Sequence, residues 1–482
     1  MIDINWAVFA PALSLIIAAS ASLLITVFNK NTKLSAIISF IAVLVAAAFN
    51  MQLFVNKSVA QSSFALEYLA DIPALGFNFV ILIATALAIL ISYDYIVNRN
   101  IDQIEYYPLM LLSAAGALVM VAAGGLITLV LGLEIMSLAV YVLAAWKQDS
   151  PASEEAGMKY FLLGAFASAF LIYGIAMLFG ATGSFNYAAI AASVTADGFD
   201  KVFYAVLASL LILVGLGFKT AMFPFHQWAP DVYTGAPMPV TAFMSTVVKT
   251  AAFAALFRIA ASFLLDMPSL VSQILLAMIA LTMIVGNLGG LVQNRLKRML
   301  AFSAVAHAGY LGLALFAAKT VGIQAAIWYL TAYVIMNAGA FAVLSLIVVE
   351  DDQGDSLDDI SGLAKTHPAL AAALSIFLFS LAGFPLFAGF IGKILVFQAA
   401  IENGYVVVAV IGIITSLVAV VYYLRPIVAM YFKDTHKQIS VQPSMASTIV
   451  IAVTAIATVL LGILPGWWYG LFEMGQRVVA GG

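Results

Sequence analysis

Along this chain long apolar runs alternate with short polar breaks, and the alternation repeats fourteen times. The runs fall near 5–28, 34–55, 76–98, 106–122, 125–146, 156–181, 203–224, 239–262, 270–292, 299–318, 322–349, 368–398, 404–425 and 446–469. Most of them supply the roughly 20 apolar residues that a helix needs to span a hydrocarbon core. Backbone groups in lipid must be satisfied internally, so the pattern predicts an all-α polytopic membrane protein of about fourteen transmembrane helices. A transmembrane barrel would show short segments of alternating polarity, and these are absent.

Composition agrees with that reading. Hydrophobic residues make up 64% of 482 positions and charged residues 9%, a balance no soluble domain keeps without a very large exposed apolar surface. The chain has no cysteine, which excludes a disulfide, a thiolate zinc site and a cysteine-bound iron–sulfur cluster in this polypeptide. Any electron chemistry therefore belongs to partners. The amino terminus, Met1 to Trp6, has no basic leader and runs into an apolar stretch, so a retained first helix is expected.

Charge placement orients the bundle. The connections after odd-numbered helices hold Lys30, Lys33, Arg99, Lys147, Arg295, Lys297, Arg298, Lys365, Lys433 and Lys437, with Arg425 at a helix end. The other side has mainly Lys57, Lys201 and Lys319, plus Arg258 near a helix end and Arg477 in the tail. The positive-inside rule makes the first side cytoplasmic and puts both termini outside. The acidic run of Glu350, Asp351, Asp352, Asp355, Asp358 and Asp359 also lies inside, without weight in that rule.

Five ionisable residues remain at membrane depth: Glu134, Lys159, Lys219, Lys249 and Lys393. A charge at the bilayer centre costs at least about 2.5–3.5 kcal/mol, so such groups face protein or water and mark ion paths. The plain alternative is a snorkelling or structurally paired charge. It has most force for Lys159, about one turn from the cytoplasmic end of its helix beside Glu154 and Glu155. Lysine suits proton transfer in general, because burial favours its neutral form while a nearby carboxylate favours the charged one. Glu134 and Lys219 would form such a switch if their helices touch.

Polar side chains recur at helical spacing near these positions: Glu134, Ser137 and Tyr141; Ser303, His307 and Tyr310; Tyr329, Tyr333 and Asn337. Such stripes can carry water chains or simply bond helix to helix. A histidine in an apolar span, here His307, is a reasonable relay member.

Two of the buried lysines sit beside proline-containing interruptions. Lys219 precedes Phe223-Pro224-Phe225-His226-Gln227-Trp228-Ala229-Pro230-Asp231, and Lys393 follows Gly383-Phe384-Pro385-Leu386-Phe387-Ala388-Gly389. Proline breaks or kinks a helix and frees carbonyls, and matched breaks in two halves point to an ion site. The breaks fall in the seventh and twelfth helices. That spacing predicts two inverted five-helix repeats, helices 4–8 over 106–262 and helices 9–13 over 270–425, between an N-terminal unit 1–105 and a C-terminal loop and helix 426–482.

The segments Gly132 to Leu143, Lys159 to Phe170, and Phe218-Lys219 through Phe225 to Pro237 resemble the subunit N family of bacterial respiratory complex I, the NADH-quinone oxidoreductase. That family belongs to the wider antiporter-like proton-translocating subunits, shared with multisubunit sodium/proton antiporters, and the likeness covers essentially the whole chain. It implies fourteen helices, inverted repeats and broken seventh and twelfth helices. It also implies that Glu134 and Lys219 are the paired carboxylate and lysine, Lys249 the central connecting lysine and Lys393 the twelfth-helix residue. Lys159, His226 and His307 match further polar positions. Absence of a long lateral helix after the fourteenth favours subunit N over the most distal relative.

By that resemblance the chain is a subunit of a proton-translocating NADH:quinone oxidoreductase in the bacterial inner membrane, with no redox site of its own. NAD, FMN, iron–sulfur clusters and quinone are expected on partner subunits; its own partners are neighbouring membrane subunits, lipid and protons, with no nucleic acid. Protons are expected to enter from the cytoplasm near Lys219 and Lys249, pass to Lys393 and leave outward. The alternatives are a subunit of a sodium/proton antiporter without redox coupling, or a structural subunit with inert paired charges. His367 and His436 lie near loops without partners at ligand spacing, and no phosphate-cradling loop or nucleophile triad is present.

Overall fold

The computed structural model describes residues 4–56, 61–196, 200–349, 354–434 and 439–466. Lys57, Glu350, Asp351, Asp352, His436, Lys437 and Arg477 lie outside the described residues, as does everything after residue 466. Among the described residues twelve helices are long and apolar enough to cross a membrane, and Tyr106–Val121 and Pro368–Ala382 are shorter apolar helices. These two complete the fourteen crossings that the apolar runs predict.

Local chemistry sets several ends differently from the hydropathy reading. The sixth crossing, Pro151–Thr182, starts five residues earlier because Pro151 takes a first-turn position that needs no N–H. The seventh stops at Thr220, where Ala221 turns left-handed, and resumes as Trp228–Gly235. The eleventh, Gly322–Leu346, ends before Ile347–Val349, a β-branched run that pairs antiparallel with Ile439–Val441. The twelfth is broken into Pro368–Ala382 and Ala388–Glu402. The thirteenth, Val406–Phe432, continues through Pro426, so Arg425 lies inside it and not at its end.

Ion pairs between connections respect the alternation of sides. Lys33 pairs with Asp94, Arg295 with Asp355 and Lys365 with Asp434 on one side; Arg258 pairs with Asp71 and Lys319 with Asp266 on the other. Each pair joins positions that fourteen successive crossings bring to the same surface.

The eighth crossing (Met238–Ser262), the tenth (Leu296–Ala317) and the eleventh are the most enclosed, whereas the first, thirteenth and fourteenth turn most of their surface outward. Lys249, His307 and Tyr333 thus come from three helices screened from lipid on all sides. Lys249 and His307 find partners on neighbouring residues, whereas the Tyr333 hydroxyl is buried without one.

Candidate proton-relay site

Lys219 lies in the last turn of Val202–Thr220 and is 2% exposed. A cation there is favoured by the partial negative charge of the helix C-terminus. Its Nζ donates to the Tyr141 hydroxyl at 3.0 Å and stands 4.7 Å from the centroid of the Tyr141 ring and 5.0 Å from that of Tyr160. Two aromatic faces therefore receive the ammonium where water would otherwise solvate it. The break behind it is closed by Trp228 Nε1, which donates to the Phe218 carbonyl at 2.9 Å, and by Phe223 N, which donates to Thr282 Oγ1 at 2.8 Å.

Glu134 and Lys219 are not in direct contact, and the expected ion pair is replaced by a relationship through Tyr141. The carboxylate lies within electrostatic range of both Lys219 and Tyr141. Gly164 on the sixth crossing leaves room for the Tyr141 side chain: a Cβ on Gly164 would come within 2.1 Å of the Tyr141 oxygen. Glu134 is half-buried, its Oε1 is buried without a hydrogen-bond partner, and Leu131, Ile135 and Leu138 beside it are exposed.

Lys249 is 3% exposed and directly follows a π-helical turn, Met244–Val248, a kind of irregularity frequent at functional positions. Its ammonium donates to the Ala304 carbonyl of the tenth crossing and stands 5.6 Å from the Tyr333 ring centroid. The His307 ring centroid is 5.2 Å from that of Tyr333 and 5.7 Å from that of Tyr310. Tyr310 in turn faces Lys393 Nζ at 5.1 Å. His307 Nδ1 is bonded to the Tyr329 hydroxyl at 2.6 Å and Nε2 to that of Tyr423 at 3.3 Å, and Tyr423 is bonded to Ser303.

Lys393, 5% exposed, is carried by the second half of the broken twelfth crossing but holds the end of the first half. Its Nζ donates to the Ala382 carbonyl at 2.7 Å and to Ser416 Oγ at 2.9 Å. Gly383, at φ 89°, makes this approach possible, since a Cβ there would lie 2.9 Å from Lys393 Nζ. Lysine, tyrosine, histidine, tyrosine and lysine thus follow one another from the eighth crossing to the twelfth.

Two expected members stand apart. Lys159 is 40% exposed at its side chain and pairs with Glu155 at 2.5 Å and Asp231 at 2.8 Å; Asp231 also binds Arg298 at 2.6 Å. His226 stacks on Phe223 at 5.7 Å within the seventh-crossing break, with its Nδ1 buried and unpartnered. Lys297, placed in a loop by hydropathy, is buried instead, because the tenth crossing begins at Leu296. Among the described residues no three His, Asp or Glu side chains converge as a metal site requires.

The family described as NADH:quinone oxidoreductase/Mrp antiporter, transmembrane, matches residues 123–419, which contain Glu134, Lys219, Lys249, His307 and Lys393. A NADH-quinone oxidoreductase subunit N from Trichlorobacter lovleyi is 40% identical, over 99% of this chain and 97% of its own. The chain belongs to the NADH-quinone oxidoreductase subunit N family. A subunit of respiratory complex I from Thermus thermophilus superposes with a TM-score of 0.80 at 34% identity, covering 95% of this chain and 97% of that one. The Mrp complex of a Dietzia species gives a TM-score of 0.84 at 22% identity, covering 98% and 97%, a likeness of fold alone. Membership of the subunit N family makes this chain a proton-translocating membrane subunit of NADH-quinone oxidoreductase.

Proposed function

We propose that Lys219, Lys249, His307 and Lys393 form the proton path of this subunit, with Glu134 as its switch. The observation that carries the reading is the run of buried titratable groups from Lys249 through Tyr333, His307 and Tyr310 to Lys393. Protons enter from the cytoplasmic side to the Lys219 and Lys249 region, cross along hydroxyl and imidazole groups to Lys393, and leave outward. The two halves of the path belong to the units 106–262 and 270–425, related as inverted repeats.

The lysines bind and release the proton, while His307, bonded through both nitrogens to the Tyr329 and Tyr423 hydroxyls, stands between them with the Tyr333 and Tyr310 rings on either side. Glu134 acts across Tyr141: when a neighbouring membrane subunit alters the charge near its unpartnered Oε1, Lys219 feels the change. Moving one charge through 100 mV is worth about 2.3 kcal/mol, and a tenfold change in proton affinity about 1.4 kcal/mol. Electrostatic changes of that size are enough to gate transfer. NAD, FMN, iron–sulfur clusters and quinone reside on the partner subunits, and both termini face outward in the bacterial inner membrane. Lys159 and His226 serve the cytoplasmic approach to Lys219.

The test is proton translocation by the intact complex in proteoliposomes. Lys219→Ala and Glu134→Ala, in complexes that assemble and reduce quinone, are expected to lose most pumping; full pumping in both would remove the reading. Copurification with quinone-reducing subunits separates it from a sodium/proton antiporter without redox coupling.

A further inference from the structure

A fourth buried lysine takes part in none of these steps. Lys297 stands in the first turn of the tenth crossing, 3% exposed, and its Nζ donates to the Thr234 carbonyl at 2.8 Å and the Ala236 carbonyl at 2.7 Å. Those carbonyls close the short helix Trp228–Gly235, the second half of the broken seventh crossing, just before Pro237 leads into the eighth. The last carbonyls of a helix have no partner within it, and buried ones need an outside donor. Lys297 serves two at once.

The adjacent Arg298 binds Asp231 on the same short helix at 2.6 Å. Consecutive cations of the tenth crossing thus hold that helix by its side and by its end. Seven residues further along the tenth crossing, about two turns, the Ala304 carbonyl accepts from Lys249. The segment 228–249 is therefore fastened at both ends to one helix, and that helix carries His307.

We propose that Lys297 is a positioning residue that sets the register of segment 228–249 against the tenth crossing, and with it the placement of Lys249 beside Tyr333 and His307. An ammonium suits this role because three N–H donors on a compact head can meet two converging carbonyls with one to spare. The proposal rests on the relay reading above and adds to it the part that aligns its two halves.

The experiment measures protons moved per quinone reduced by the intact complex in proteoliposomes. In Lys297→Met the ratio is expected to fall at least twofold toward that of Lys249→Ala while quinone reduction continues. Lys297→Gln, which keeps two N–H donors, is expected to recover at least half of the loss. A merely structural lysine would lower the amount of assembled complex and leave the ratio unchanged, and that result overturns the proposal. Should Lys297→Met fail to assemble, Lys297→Ser, too short to reach the carbonyls but polar enough to admit water, is judged by the same two outcomes. Lys249→Ala serves as the control: wild-type pumping there removes the relay itself, whereas loss there with an unchanged ratio in Lys297→Met removes only the alignment.

Discussion

Lys219 donates a 3.0 Å hydrogen bond to the hydroxyl of Tyr141, and that tyrosine, not a carboxylate, is its immediate partner. Glu134 lies seven residues earlier on the same helix as Tyr141, about two turns and 10 Å away along the axis. The carboxylate lies within electrostatic range of the lysine without bonding to it. Removing the hydroxyl with Tyr141→Phe leaves the ring in place but takes away the acceptor. A buried polar group left unpaired costs about 1–3 kcal/mol, so pumping is expected to fall on the order of tenfold with assembly unchanged. Proton translocation and complex yield measured together check this.

Gly164 supplies an independent approach to the same contact. A methyl group there would meet the Tyr141 oxygen at 2.1 Å, and the far end of that side chain is what has to move. Gly164→Ala is expected to reproduce the pumping defect of Tyr141→Phe without touching a titratable group. The double variant should be no worse than either single one, since both remove one interaction. Additive losses would show that Tyr141 and Gly164 act separately.

The crossings are legible in the sequence because lipid imposes a length and a polarity on every span, and Lys219, Lys249 and Lys393 stand out against that background. The breaks are legible because Pro224 and Pro385 cannot continue a helix. What hydropathy cannot supply are relationships between distant positions. Asp231, 72 residues from Lys159, turns that lysine into a surface ion pair, and Gly164 makes room for the tyrosine that accepts from Lys219. Hydropathy puts Lys297 in a loop because the apolar run resumes only after it; the helix starts at Leu296, and two carbonyls from another helix bury the ammonium.

The twelfth-crossing break makes a steric prediction. Gly383→Ala would place a methyl group 2.9 Å from Lys393 Cδ and Nζ at a residue whose φ is 89°. The left-handed conformation alone costs about 1–2 kcal/mol for a residue with a Cβ. Thermal unfolding of the complex should move to lower temperature and pumping should fall, whereas Gly404→Ala, left-handed but with open space around it, should show only the stability change.

At the start of the third crossing, Arg258 makes a bidentate pair with Asp71 at 2.7 Å to each oxygen, and Asp71 Oδ1 also caps that helix through Ala74 N at 2.9 Å. Burial pushes the Asp71 carboxyl up, but the Arg258 charge and the hydrogen bonds outweigh it and hold it below the usual carboxylate range. A carboxyl lowered in the folded state stabilises fully above its unfolded value of about 3.9, and that stability is lost as pH falls through the folded value. Asp71→Asn is thus expected to cost about 3 kcal/mol at neutral pH. The difference in unfolding temperature from wild type should stay constant between about pH 7 and 5 and shrink below about pH 4.

A continuous path depends most on His307, whose ring lies between the tyrosines that face Lys249 and Lys393 and whose two nitrogens are both bonded to hydroxyls. The decisive measurement is protons translocated per quinone reduced in proteoliposomes by the intact complex carrying His307→Phe, which keeps a ring at that position and removes both nitrogens. A ratio well below wild type with quinone reduction still running is the predicted result. A wild-type ratio would contradict a continuous path from Lys249 to Lys393.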